Sequence, residues 1–273
     1  MMDILKKSLG QSQCSLGSWI SLAHPAIAEI IAKAGFEWLV IDMEHSVITI
    51  REAEELIRVI DLCGAKPYVR LTANDPNQIK RILDAGARGI IVPMVKSAKD
   101  VEQAAKAMFY PPRGTRSVGL ARAQGYGADF KNYVKKHYDF DLIVQIEHID
   151  AVEHLEEIFS FPGLLGFMVG PYDLSGSMGM PGEFENSDFQ HTLNKIQIIA
   201  NKYPHVKRGI HLVEPDLVRL KKAIEEQYHL IAYSVDFRIL DVCVRSAINQ
   251  FKEFTDESGR HHSSSHGSKA ISG

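Results

Sequence analysis

Short apolar runs rich in β-branched residues recur along the chain and alternate with longer amphipathic segments. Residues 16–20, 38–43, 67–71, 89–93, 142–147, 165–169, 209–213 and 230–235 predict eight strands. They are apolar at both parities, which fits parallel strands covered on both faces. Between them, residues 25–34, 50–63, 76–85, 98–108, 151–159, 189–203, 215–226 and a last segment from 237 have the helical period. Pro25, Pro76 and Pro215 fall at predicted first turns, where a missing N–H is harmless. Ala34-Gly35 and Asp84-Ala85-Gly86-Ala87 read as helix stops. Eight β/α units in this length predict one closed (β/α)8 TIM barrel rather than an open doubly wound sheet.

One connection is long. More than thirty residues separate Met108 from Leu142, including Pro111–Arg116 and Gly119–Gly127. Such a loop predicts a lid or partner contact, and counting it as the connection after the fourth strand places it on the C-terminal, catalytic face. The barrel domain is expected to span residues 1–257. Residues 258–273, SGRHHSSSHGSKAISG, read as a disordered tail or expression remnant, with a His-rich metal-binding tract as the alternative.

Composition narrows the function. The net charge of −3 argues against nucleic acid as the main partner. No segment approaches the ~20 apolar residues that span a bilayer, so no membrane association is expected. Lys6 and Lys7 are not followed by the apolar run of a signal peptide. Cys14, Cys63 and Cys243 lack CxxC spacing, which argues against a disulfide framework or thiolate zinc. The expected compartment is the cytoplasm.

In a barrel, polar residues at the C-terminal strand ends face the active site. The second run ends in Asp42-Met43-Glu44-His45 and the third in Arg70. The fifth ends in Gln145-Ile146-Glu147, and the sixth leads into Gly170-Pro171-Tyr172-Asp173-Leu174-Ser175. Glu147 and Asp173 supply two carboxylates. These leave most positions of a hard cation to water and substrate oxygens, which suits Mg2+ or Mn2+; the alternative is a hydrogen-bonded or salt-bridged acid pair. Arg70 closes an apolar strand, and a buried guanidinium needs an anionic or carbonyl partner. That partner is a substrate oxygen, or Asp42 or Glu147. His45 is the candidate base, because imidazole exchanges protons near pH 7, with Asp42 placed to orient part of the site; a solvent-facing loop His is the alternative. Gly166, Gly170 and the turn at Pro171 would let backbone N–H groups approach a carboxylate. Arg113 and Arg116 would bind a distal carboxylate or phosphate, or simply lie on a surface loop. His24, His148 and His211 read as structural: His24 at a helix start, His148 turned away by strand alternation, His211 packed within a strand.

Taken in order, WLVIDMEHS (38–46), PYVR (67–70), LDAGARGIIVP (83–93), YPPRGTR (110–116), QIE (145–147) and GPYDLS (170–175) resemble the HpcH/HpaI family of class II 2-oxo acid aldolases across roughly residues 5–255. The resemblance implies a metal-dependent aldehyde-lyase that cleaves a 4-hydroxy-2-oxo acid to pyruvate and an aldehyde, or condenses them. Glu147 and Asp173 would bind Mg2+, Mn2+ or Co2+, and pyruvate would chelate it through its carboxylate and carbonyl oxygens. Arg70 would stabilise the enolate oxygen, Gln145 and Gly170 would line the pocket, and Leu174 and Ser175 would hold the pyruvate carboxylate. His45 would move the proton of the substrate hydroxyl. The family pairs that His with an aspartate matching Asp84. Here Asp84 ends the third predicted helix, at the opposite end of its own barrel, so it would come from a neighbouring subunit or through a different loop path. Homo-oligomers, hexamers or trimers with the C-terminal helix at the interface, are implied. Some members act on sugar-derived 2-oxo acids and others on dicarboxylic ones. Ser117 departs from the glycine often found there, and residues 120–139 do not identify an aldehyde.

Three other readings compete. A Schiff-base aldolase would use Lys96. A coenzyme A ester lyase or phosphoenolpyruvate-type enzyme would share the barrel and carboxylates; the coenzyme A version would need a larger entrance and extra basic residues, for which Arg113, Arg116 and Arg122 are available. A non-catalytic barrel would need no convergence of Glu147, Asp173, Arg70 and His45.

Overall fold

The structure, a computed structural model, describes residues 14–136 and 140–263. Eight parallel strands close a barrel in chain order: β1 (Ser15–Ile20), β2 (Trp38–Asp42), β3 (Lys66–Arg70), β4 (Gly89–Val92), β5 (Asp141–Ile146), β6 (Leu164–Val169), β7 (Lys207–Leu212) and β8 (Leu230–Val235). Between them lie α1 (Pro25–Lys33), α2 (Ile50–Leu62), α3 (Pro76–Ala85) and α4 (Ala98–Met108). There follow α5 (Phe130–Lys136), α6 (Ile149–Glu153), α7 (Leu155–Phe159), α8 (Pro171–Ser177), α9 (Ser187–Ala200), α10 (Leu217–Glu225) and α11 (Asp236–Ser263).

Strand alternation divides the core. Leu39, Ile41, Val69, Ile90 and Val92 belong to the cluster packed against the helices. Trp38, Val40, Tyr68, Ile91, Ile143 and Met168 form a separate inner cluster that fills the barrel. Gly17 is required by this filling, because a Cβ there would strike the Trp38 indole. Helix starts are chemically marked: Thr49 and Glu52 form a capping box on α2, with Thr49 N–H donating to Glu52 Oε2 at 2.7 Å. Gly86 ends α3 in the left-handed region at φ 105°.

Local signals misplace a few boundaries. The helix expected over 151–159 begins at Ile149 and breaks at His154, and α10 starts at Leu217 under an Asp216 cap rather than at Pro215. Helix α11 runs to Ser263, past the boundary expected at 257; residues 264–273 lie outside the described residues.

The long connection requires a correction. It follows α4, not β4, and therefore lies at the N-terminal end of the barrel, away from the catalytic face. It contains a 3-10 turn (Arg122–Gly127) and α5. Buried polar contacts anchor it. Arg116 Nη2 donates to Asp84 Oδ1 at 2.5 Å and to Tyr133 Oη at 3.1 Å, and Gln124 Nε2 donates to Tyr110 Oη at 3.0 Å. Arg122 reaches Asp61 at 2.5 Å.

Candidate active site

The C-terminal ends of β2, β3 and β5 bring Asp42, Arg70, Gln145 and Glu147 to one mouth, and the first turn of α8 adds Asp173. Arg70 is nearly buried and fully engaged. Its Nε and Nη2 donate to Asp42 Oδ1 and Oδ2 at 2.9 and 2.7 Å, and Nη1 lies 3.2 Å from Glu44 Oε2. The guanidinium also sits over Trp19, 4.4 Å from the ring centroid. Asp42 Oδ1 additionally accepts the Glu44 and His45 backbone N–H groups at 3.0 and 3.2 Å. Asp42 thus fixes Arg70 and the turn carrying His45.

Glu147 is 2 % exposed. Its Oε1 accepts Met94 N–H at 2.6 Å and its Oε2 accepts Gln145 Nε2 at 2.9 Å. Burial, together with the negative charges of Glu44 and Asp173, pushes its carboxyl up to about 7 against the pull of the Met94 hydrogen bond and Arg70. Glu44 is also raised to about 7, chiefly by burial, with Arg70 opposing and Asp42 and Asp173 adding to the rise. Glu44 is a site residue the sequence reading passed over. The available signal was parity, since 38, 40, 42 and 44 alternate onto the inward face of β2 and its extension.

Gly170 has a definite reason to be glycine. A Cβ there would come within 2.5 Å of Glu147 Oε2 and 2.8 Å of Glu147 Cβ. The residues present fit a divalent cation. The buried Gln145 Oε1 has no hydrogen-bond partner, and the carboxylates gathered around the Arg70 guanidinium raise the proton affinity of Glu44 and Glu147. Among the described residues no three His, Cys, Asp or Glu side chains converge into a complete cage. The fit is therefore to a hard ion on one or two carboxylates, with the remaining positions open to water and substrate oxygens.

The other predicted residues divide clearly. His45 is at the rim, with its ring 63 % exposed and Nε2 3.9 Å from Glu44 Oε2. Leu174 and Ser175 are buried. Leu174 N–H donates to Gly170 O at 2.9 Å. The Ser175 hydroxyl donates to Tyr172 O at 2.9 Å and accepts Gly182 N–H at 3.0 Å, so it holds the 171–182 segment that aims Asp173. Asp84 and Arg116 are paired with each other at the N-terminal end. Within one chain they do not join His45, and Arg116 is committed to that anchor. His148 caps α6 and lines a surface cavity of about 530 Å³ beside Met94 and Asp173. Lys96 Nζ lies 3.6 Å from Asp150 and is partly exposed.

A parallel barrel with an acidic, arginine-backed mouth at its C-terminal face has the arrangement of a (β/α)8 barrel enzyme. Residues 15–240 match the HpcH/HpaI aldolase/citrate lyase family, and the chain belongs to it as an enzyme of the aldolase type. The chain is 36 % identical over 234 residues to a 2-dehydro-3,6-dideoxy-6-sulfogluconate aldolase of Pseudomonas putida, covering 85 % of this chain and 90 % of that one. It is 37 % identical over 194 residues to a hydroxypyruvate/pyruvate aldolase of Roseovarius nubinhibens, covering 70 % and 75 %. The crystal structure of an HpcH/HpaI aldolase/citrate lyase family protein from Burkholderia cenocepacia superposes with a TM-score of 0.84 at 30 % identity, covering 91 % and 99 %.

Proposed function

We propose that this enzyme cleaves a 4-hydroxy-2-oxo acid to pyruvate and an aldehyde, or joins the two, with Mg2+, Mn2+ or Co2+ held by Glu147 and Asp173. The observation that carries this reading is the buried Glu147 carboxylate, facing Glu44 and Asp173 and wrapped closely at Gly170. A divalent cation there would act as a Lewis acid toward a 2-oxo acid. Arg70, immobilised by Asp42 and Trp19, presents fixed positive charge to the oxygen on which negative charge develops. His45, open at the rim, takes the proton from the substrate hydroxyl in cleavage and returns it in condensation. Gln145 lines the pocket and orients Glu147. Leu174 and Ser175 act by shaping the turn that carries Asp173.

The same reading includes a cytoplasmic homo-oligomer, a trimer or hexamer, with α11 at an interface. Phe237, Leu240, Val244, Ile248 and Phe251 are each about half exposed and recur at three- and four-residue spacing on α11, a stripe wide enough to need a partner. Asp84 would pair with His45 of a neighbouring copy.

A pyruvate-release assay over a panel of 4-hydroxy-2-oxo acids tests the reaction. Activity is expected with Mn2+ or Mg2+ and is expected to vanish with EDTA. Activity indifferent to EDTA, or a stable borohydride adduct at Lys96 with pyruvate, would overturn it.

A further inference from the structure

His211 is used by nothing above, yet it lies inside the barrel. On β7, Ile210 and Leu212 pack outward with Leu220 and Ala223 of α10, so alternation turns His211 inward. Its ring stacks on Trp19, with centroids 4.8 Å apart and planes at 19°. Trp19 in turn carries the Arg70 guanidinium. Strands β7, β1 and β3, of one parity, therefore place three flat groups in succession at the mouth, as alternate strands do in a barrel layer.

The imidazole is held in one tautomer. Nε2 lies 3.1 Å from Ser234 O, and a carbonyl only accepts, so Nε2 carries the hydrogen. The carbonyl itself is held in place, because Ser234 adopts φ 57° and its hydroxyl donates to Val213 O at 2.8 Å. Burial lowers the His211 pKa to about 4, with Arg70 adding to the effect and the Ser234 carbonyl and Asp42 opposing it. The ring is then neutral at pH 7 and Nδ1 is a bare acceptor. Among the described residues no hydrogen-bond donor reaches Nδ1.

We propose that His211 is a specificity-determining residue whose Nδ1 accepts a hydrogen bond from a substrate hydroxyl on the carbon next to the reacting carbonyl. The proposal rests on the aldolase reading above and extends it to substrate choice. Arg70 places the carbonyl oxygen, and the Trp19 ring sets the separation between that oxygen and the imidazole. A methyl group at that carbon leaves the acceptor unpaired, and a carboxylate would oppose it with another acceptor. An α-hydroxy carbonyl compound satisfies it. The hydroxyl belongs either to the 2-oxo acid donor or to the aldehyde.

The test measures kcat/KM ratios in two arms on the full chain with Mn2+. One compares hydroxypyruvate with pyruvate, using acetaldehyde as the fixed acceptor. The other compares glycolaldehyde with acetaldehyde, using pyruvate as the fixed donor. His211→Leu is expected to lower the hydroxy-to-deoxy ratio about tenfold in one arm, the worth of one hydrogen bond, and that arm identifies the partner bearing the hydroxyl. His211→Gln keeps both a donor for Ser234 O and an acceptor, and is expected to restore most of the ratio. Ratios within twofold of the wild type in both arms for His211→Leu would overturn the proposal. If the wild type makes no product in either arm, the lyase reading fails by itself. His211 is then judged by tryptophan-fluorescence titration with hydroxypyruvate and pyruvate. A hydroxypyruvate preference that His211→Leu removes supports the proposal; equal affinities, or a preference that survives, overturn it.

Discussion

Glu147→Gln in the metal-free protein isolates the electrostatics of the mouth. Glu147 is 2 % exposed and its carboxyl is raised from the model-peptide 4.5 to about 7. A carboxyl raised on folding contributes stability that is complete below the unfolded pKa and is lost as pH rises through the folded pKa. The window is thus about 4.5 to 7, and stability falls with rising pH. Between pH 5 and pH 8 the loss from this group is about 2.5 kcal/mol, at 1.36 kcal/mol per unit. Glutamine resembles the protonated acid and carries no such penalty. Its amide keeps one acceptor for Met94 N–H, and Gln145 can reverse its own amide to accept from the new NH2, because Gln145 Oε1 has no partner now. The variant should match the wild type in thermal stability near pH 5 and exceed it at pH 8 by about 5 °C, taking roughly 2 °C per kcal/mol. Calorimetry in EDTA across pH 5–8 measures this. Adding Mn2+ at a hundred times its Kd should stabilise the wild type by about 2.7 kcal/mol and the variant far less. A wild type whose metal-free stability does not fall relative to the variant between pH 5 and 8 would refute the argument that a buried, uncompensated carboxylate awaits a cation.

Further outcomes follow from the same contacts. Gly170→Ala should weaken Mn2+ binding at least tenfold in calorimetric titration, because the added Cβ displaces Glu147 while φ −94° and ψ 93° remain open to alanine. Arg70→Met should destabilise the fold by about 3 kcal/mol by leaving Asp42 buried and unpaired, and Asp42→Asn in the same chain should recover part of that; denaturant melts of the four proteins close the cycle. His45→Ala should lower kcat by about 10²–10⁴ while Mn2+ affinity changes little, measured by pyruvate release and calorimetry side by side. Mixing inactive Asp84→Asn and His45→Ala subunits should restore activity if Asp84 serves a neighbour's site; failure to complement in proven mixed oligomers would remove Asp84 from the mechanism.

The barrel was legible because each strand must be apolar on both faces, one toward the helices and one toward the barrel interior, and the 38–43 and 89–93 runs show this without any partner in view. The placing of Glu147 and Asp173 at the mouth was legible for a related reason: Glu147 directly follows β5 and Asp173 lies in the first turn of the helix after β6, where an apolar core no longer has to continue. The break at His154 and the start of α10 at Leu217 were less so, since caps and two-residue turns compete on nearly equal local terms. The long connection was assigned to the wrong end of the barrel. Its length marked it, but its end depends on whether a helix comes first, and α4 does.

By itself the sequence determined the architecture and the residue types at the rim, because both follow from period and composition. Only the tertiary structure decided what those residues are doing. It gave Arg70 to Asp42 and Glu44, spent the Ser175 hydroxyl on its own turn, joined Arg116 to Asp84 at the far end, and turned His211 against Trp19. Pairing, burial and protonation depend on distances between strands and on how thoroughly water is excluded. Those quantities come into existence only when residues far apart in the chain are brought together.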